Sequence, residues 1–160
     1  MVFNPSLVSR EDIYLALYNL VKAAQFTNPI LGNSTWVGTA QKFVDSPPGS
    51  LQPFLAQFEG YPEKYEYRGM RLPQVRHLGA RLWCWARVDS GDTRQRGAQY
   101  LNWMLEGIEE ALKPDNIAVG KLTLGGMVEW CRIEGTILRV TGDVDQQALI
   151  IIPVLILWPN

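Results

Sequence analysis

Histidine is almost missing from this chain. His77 stands alone in 160 residues, with only two cysteines, Cys84 and Cys131. A zinc centre needs three or four such ligands at close spacing, so no metal site is expected. The cysteines lie far apart in strand-like patterns and read as small buried apolar groups in a reducing setting, and a disulfide is open only if their strands are neighbours. An excess of positive charge is missing too, since 15 Lys and Arg against 16 Asp and Glu leave a net charge of -1. A protein that grips phosphate needs a basic surface, although brief passage of DNA past a neutral wall is compatible with this balance. No basic-then-apolar leader opens the chain. The longest apolar run, residues 148 to 158, is roughly half the ~20 residues that span a bilayer and contains Pro153, so no membrane association is expected. Repeats and low-complexity tracts are absent as well.

What is present is a folding composition. Hydrophobic residues make up 47% and charged residues 19%, which suits one folded domain over residues 1–160. The last third, from Met127 to Trp158, organises the rest. It reads as two long strands joined by a Gly142-Asp143 turn, the second closing on the apolar run. A strand that apolar on both sides needs cover on both faces, and the chain holds too little helix to supply it from one subunit.

Residues 1–8 read as a loose arm. Ser9 with Asp12 forms a box-like cap, and Ile13, Leu17, Leu20, Val21 and Ala24 recur at helical spacing, predicting a first helix over 10–24. Residues 25–50 carry turn formers (Asn28-Pro29, Gly32-Asn33, Pro47-Pro48-Gly49), with Trp36-Val37 and Lys42-Phe43-Val44 extended between them, and read as a protruding hairpin or a loop. Phe54, Ala56 and Phe58 alternate as a strand, and residues 61–77 read as a surface connection. The next strand, 78–88, splits into an apolar face (Leu82, Cys84, Ala86, Val88) and a face of Arg81, Trp83, Trp85 and Arg87. Trp and Arg are favoured interface anchors, and the same pattern also stacks single-stranded bases or simply packs inside.

Asp92 or Thr93 opens a second helix that runs to Lys113 and stops at Pro114. Leu101, Met104, Leu105, Ile108 and Leu112 form its stripe. A link through Leu124 and the Gly125-Gly126 turn lead into the closing strands. Met127, Cys131, Ile133 and Ile137 are assigned to the helix side, and Val128, Trp130, Arg132, Glu134, Thr136, Leu138 and Val140 to the other. Gly135 predicts a bulge or a close backbone approach, and Pro153 an edge or bulge position. The expected fold is α+β, an antiparallel or mixed sheet with two main helices on one face.

Catalytic signals are weak. No nucleophile motif frames His77. Glu129 and Glu134 fall on opposite faces, and Arg132 with Glu134 reads as an ion pair. The glycines after Lys121-Leu122-Thr123-Leu124 precede a strand and not a helix, so they form no phosphate loop. Asp143 and Asp145 share a turn, a thin basis for a cation site. No enzyme activity and no cofactor are expected.

Several segments together carry a resemblance. They are Arg10-Glu11-Asp12-Ile13-Tyr14, Glu109-Glu110-Ala111-Leu112-Lys113-Pro114-Asp115, Thr123-Leu124-Gly125-Gly126-Met127-Val128, Cys131-Arg132-Ile133-Glu134-Gly135, and Gln147-Ala148 running into Ile152-Pro153-Val154. They resemble the small tail-completion (head-tail joining) proteins of long-tailed bacteriophages and prophages, and most of all the tail terminators. The resemblance covers the first helix and everything after Pro53, whereas residues 25–50 match no such pattern. It implies a subunit of a ring, usually hexameric, that caps the head-proximal end of the tail tube, ends tube growth and offers the attachment surface for the head and neck. The implied partners are copies of itself, the tail tube protein and a neck or head-completion protein, with double-stranded DNA passing through without specific binding. The implied location is the tail-neck junction of the virion, reached from the host cytoplasm during assembly.

That family carries no catalytic residues to transfer, so the candidates are contact positions. Arg81, Trp83, Trp85, Arg87, Trp130, Arg132 and Glu134 are nominated for the subunit interface, and Trp36, Phe43, Tyr65, Tyr67, Arg68 and Arg71 for tube or neck contact. Three alternatives remain open at this level: a head-closure, neck or tail-tube protein, a nucleic-acid-binding module using the Arg81-Trp83-Trp85-Arg87 face, and a small enzyme around His77.

Overall fold

A computed structural model describes residues 8–23, 25–28, 32–35, 41–42, 54–67, 75–87, 93–140 and 147–159. The fold is α+β. Helices α1 (Arg10–Lys22) and α2 (Thr93–Ala111) accompany strands β1 (Gln25–Asn28), β2 (Gly32–Thr35), β3 (Gln41–Lys42), β4 (Phe54–Glu66), β5 (Val75–Arg87), β6 (Trp130–Ile133), β7 (Leu138–Val140) and β8 (Gln147–Pro159). The main sheet runs β3-β4-β5-β8-β6, with β7 also on β8, and is antiparallel except for the short parallel pair β3–β4. β1 and β2 form a separate antiparallel hairpin.

Helix α1 starts where the capping pattern places it. The Ser9 hydroxyl accepts from the Asp12 amide at 3.1 Å, and the Ser9 amide donates to Asp12 Oδ2 at 2.9 Å. These bonds satisfy two amides that a helix start leaves without partners. The Ser9 hydroxyl and amide also hold the Asp12 carboxyl below its ordinary value. Ile13, Leu17 and Val21 of α1 meet Leu101, Met104, Ile108 and Leu112 of α2 in one core with Leu78, Leu82 and Cys84 of β5 and Ile150, Ile152 and Ile156 of β8. Only even-numbered positions of the two long strands enter this core, so both helices cover one face. Each fully buried aliphatic side chain contributes about 1.5–3 kcal/mol, which makes this layer the main source of stability. Tyr14 adds a polar tie across it, donating to the Gly79 carbonyl at 3.1 Å beside the place where the β4–β5 register slips between Tyr61 and Lys64.

Three sequence expectations change. Residues 61–66 and 75–77 are strand and not surface connection, because β4 runs to Glu66 and β5 begins at Val75, while residues 68–74 lie outside the described residues. His77 therefore sits in a strand, paired with Lys64. The predicted long strand after Met127 is two strands, with residues 134–137 between them. Val128 is not on the mixed face: it precedes β6, where alternation does not apply, and it is 4% exposed within the core. Of the two positions expected for Pro153, edge or bulge, the bulge holds: β8 has β5 on one side and β6 and β7 on the other, with an irregularity between them opposite Pro153.

The break and the proline explain each other. Ile133 pairs with Val154 and Leu138 with Ile151, so five steps along β6–β7 span three along β8 and two residues are extra. The Pro153 carbonyl accepts from the Glu134 amide at 3.2 Å. In an antiparallel strand a residue's N–H side is the same side as its C=O, so the donor that proline lacks faces the position where the neighbour has left the ladder.

Candidate functional site

The sheet face away from the helices is the candidate site. Register assigns its rows. Leu55, Trp85, Leu149 and Val140 share one row, and Gln57, Trp83, Ile151 and Leu138 the next. Glu59, Arg81 and Pro153 follow, then Gly79, Leu155 and Arg132, then Lys64, His77, Leu157 and Trp130. Trp83, Trp130, Ile151, Leu155 and Leu157 are half-buried, while Leu138 and Val140 are 56% and 50% exposed. On β5 and β8 this face is made by the odd-numbered positions, whose even-numbered neighbours are in the core. The apolar character of β8 on both sides is what leaves it apolar.

Polar groups frame this surface. Arg132 lies with its guanidinium 4.1 Å from the centre of the Trp130 ring and donates from Nε to Glu134 Oε2 at 2.6 Å. The guanidinium is thus held between an indole and a carboxylate while more than half of its side chain stays exposed. His77 Nε2 lies 3.0 Å from Glu66 Oε1. Among the described residues no serine or cysteine nucleophile joins them, and Cys84 and Cys131 are both buried on the opposite face. Burial raises both thiols, Cys131 to about 12 with a further push from the charge of Asp115. They are free and separated by β8, so the condition for a disulfide is not met. No group of three metal-ligating side chains occurs among the described residues.

Residues 134–137 form a ridge on this face. Gly135 touches the Pro153 ring, and a depression lies on either side. One of about 320 Å³ is lined by Arg81, Thr136, Leu138 and Ile151. The other, about 490 Å³, is lined by Lys64, His77, Gly79 and Leu155. Glu134, Gly135 and Pro153 border both.

The nominated residues separate. Arg81, Trp83, Trp130, Arg132 and Glu134 come together on this one face, and Trp85 and Arg87 occupy backbone positions on the same side of β5. Tyr65 lies in strand β4 and not in a loop. It stands opposite Arg76 one residue before the end of β4, accepts from Arg10 Nη2 at 2.8 Å and donates to Glu63 Oε2 at 2.7 Å. The Glu63 hydrogen bond in turn raises the Arg10 guanidinium against its partial burial. Tyr67 is 60% exposed at the end of β4. Trp36, Phe43, Arg68, Arg71, Asp143 and Asp145 lie outside the described residues.

One feature escaped the sequence reading. The link after α2 is a small hairpin in which Asn116 and Lys121 exchange backbone bonds of 3.0 and 3.2 Å, and its tip raises Ile117 to 90% and Val119 to 58% exposure. The signal was an apolar pair between turn formers, Asp115-Asn116 before it and Gly120 after it. No protein-family model matches the chain, and no curated protein is significantly similar to it in sequence.

Proposed function

We propose that this chain is a structural subunit of a phage tail, a terminator that closes into a ring on the head-proximal end of the tube. The observation that supports this reading is the second apolar sheet face. Tryptophan, isoleucine and leucine from β5, β6, β7 and β8 lie half-buried or exposed there, and contiguous exposed apolar surface of this kind marks protein contact sites. Anchors such as Trp83 each contribute about 2–3 kcal/mol when a partner buries them. A ring needs one patch to meet a different patch on the next copy, and a sheet face bounded by helices at the back can supply one half of such a contact.

The test is light scattering with electron micrographs of the same peak, on the protein alone and after mixing with tail tubes. A closed ring, alone or on the tube end, is the expected result. Charged residues at Trp83 and Trp85 should leave circular dichroism unchanged and stop capping. Open-ended polymerisation would make the chain a tube subunit instead. Salt-sensitive DNA binding that weakens in Arg81→Ala and Arg87→Ala would support the nucleic-acid module.

A further inference from the structure

We propose that the hairpin tip carrying Ile117 and Val119 is the element by which one copy of this chain docks on the next, seated against the depressions beside Gly135 and Pro153. The inference rests on the ring reading and names the contact that makes it.

The tip is built to be presented. Below it, the Asp115 carboxylate accepts from the Thr123 amide at 2.6 Å, the Thr123 hydroxyl at 2.9 Å and the Gly125 amide at 2.9 Å. The Lys121 ammonium pairs with Glu129, and Gly120 closes the turn at φ +65°. A scaffold already ordered in the free chain loses little freedom on binding. Isolated exposed apolar residues are ordinary, but an isoleucine at 90% exposure next to a valine at 58% on a braced turn is a knob without a socket. Residues 117 to 120 are Ile-Ala-Val-Gly, with no charge to grip a phosphate.

The same chain carries sockets that its own tip does not fill. A bridge between Leu122 and Cys131 ties the hairpin to the outer side of β6, while the depressions lie over β5 and β8. No residue from 116 to 121 lines either depression. Knob and socket thus sit at different places on one molecule, the arrangement that makes a heterologous contact and, with the right rotation, a closed ring. The lining of the smaller socket includes Ile151, Leu138 and Pro153, which suit an aliphatic tip, beside Arg81, Glu134 and Thr136.

The test places the photo-crosslinker benzoylphenylalanine at position 117 of the full chain, in a mixture of light and nitrogen-15-labelled subunits, alone and on tail tubes. Crosslinks of mixed isotope from 117 to peptides holding residues 134–138 or 151–155 are expected. The Ile117→Asp/Val119→Asp variant should keep its circular dichroism and unfolding midpoint while needing about tenfold more protein to associate, the least that losing one buried aliphatic anchor implies. Normal association of that variant, or crosslinks to another surface, to tube protein only or to added lipid vesicles, would overturn the docking. If Trp83→Glu blocks association and the tip variant does not, the ring reading stands and this contact falls. No intermolecular crosslink under either condition, with no rings in micrographs, would remove both.

Discussion

Gly135 and Pro153 meet with little room for a side chain between them: a Cβ on Gly135 would lie 3.1 Å from Pro153 Cγ, and Gly135 has φ +121°. That φ is open to glycine and strained for other residues. The contact lies between the two depressions, both of which Glu134, Gly135 and Pro153 border. Gly135→Ala is expected to destabilise the chain by about 1–3 kcal/mol, read as a lower urea midpoint with unchanged slope. Gly120→Ala has φ +65° but open space around it, so it should cost less, about 1 kcal/mol. Adding Pro153→Ala to Gly135→Ala should recover part of the loss, and strict additivity would show that the ring is not what Gly135 avoids.

The two faces of β8 should respond differently to truncation. Ile152 is fully buried under the helices, whereas Ile151 is half-buried on the open face. Ile152→Ala should cost about 2–5 kcal/mol in chemical denaturation. Ile151→Ala should cost less than half of that in dilute protein, and more where the chain is assembled. Equal costs in dilute protein would place both faces in the core.

Acid should loosen the tip hairpin first. Partial burial opposes ionisation of Asp115, but the bonds from Gly125 and Thr123 outweigh it and hold the carboxyl below its ordinary 3.8. A lowered carboxyl contributes stability above the unfolded value and loses it as pH falls through the folded one. Below about pH 4, amide exchange at Thr123 and Gly125 should therefore quicken before that of the core strands. Asp115→Asn should show the faster exchange already at neutral pH and abolish its acid dependence.

Alkali acts through the core. Burial raises the Tyr14 phenol from 10.0 to about 12, helped by the charge of Glu63, and raises Cys131 from 9.0 to about 12. Both groups hold their protons more tightly folded than unfolded. Their contribution is thus complete below pH 9 and is lost as pH climbs towards 12. Thermal midpoints should fall over that window. Tyr14→Phe should flatten the upper part of the fall and cost about 1–2 kcal/mol at neutral pH, because the Gly79 carbonyl loses its donor.

The helices were legible because their signals are local. Ser9 with Asp12, the stripes of α1 and α2, and the stop at Pro114 depend on neighbours within one or two turns. The face split of β5 was legible for the same reason, since alternation between Leu82 or Cys84 and Arg81 or Trp83 needs only a strand. Where alternation stops, the reading fails. Val128 precedes β6, and residues 134–137 leave the ladder, so parity predicts nothing there.

The sequence by itself determined an α+β chain with two main helices and a last strand apolar on both faces. Only the tertiary structure decided that this strand lies inside the sheet, that Pro153 faces a gap in the ladder, and that Ile117 stands clear of the surface. The physical reason is that propensity and periodicity act between residues close in the chain. Strand order, the gap opposite Pro153 and exposure at a tip depend on which distant segments come to lie side by side.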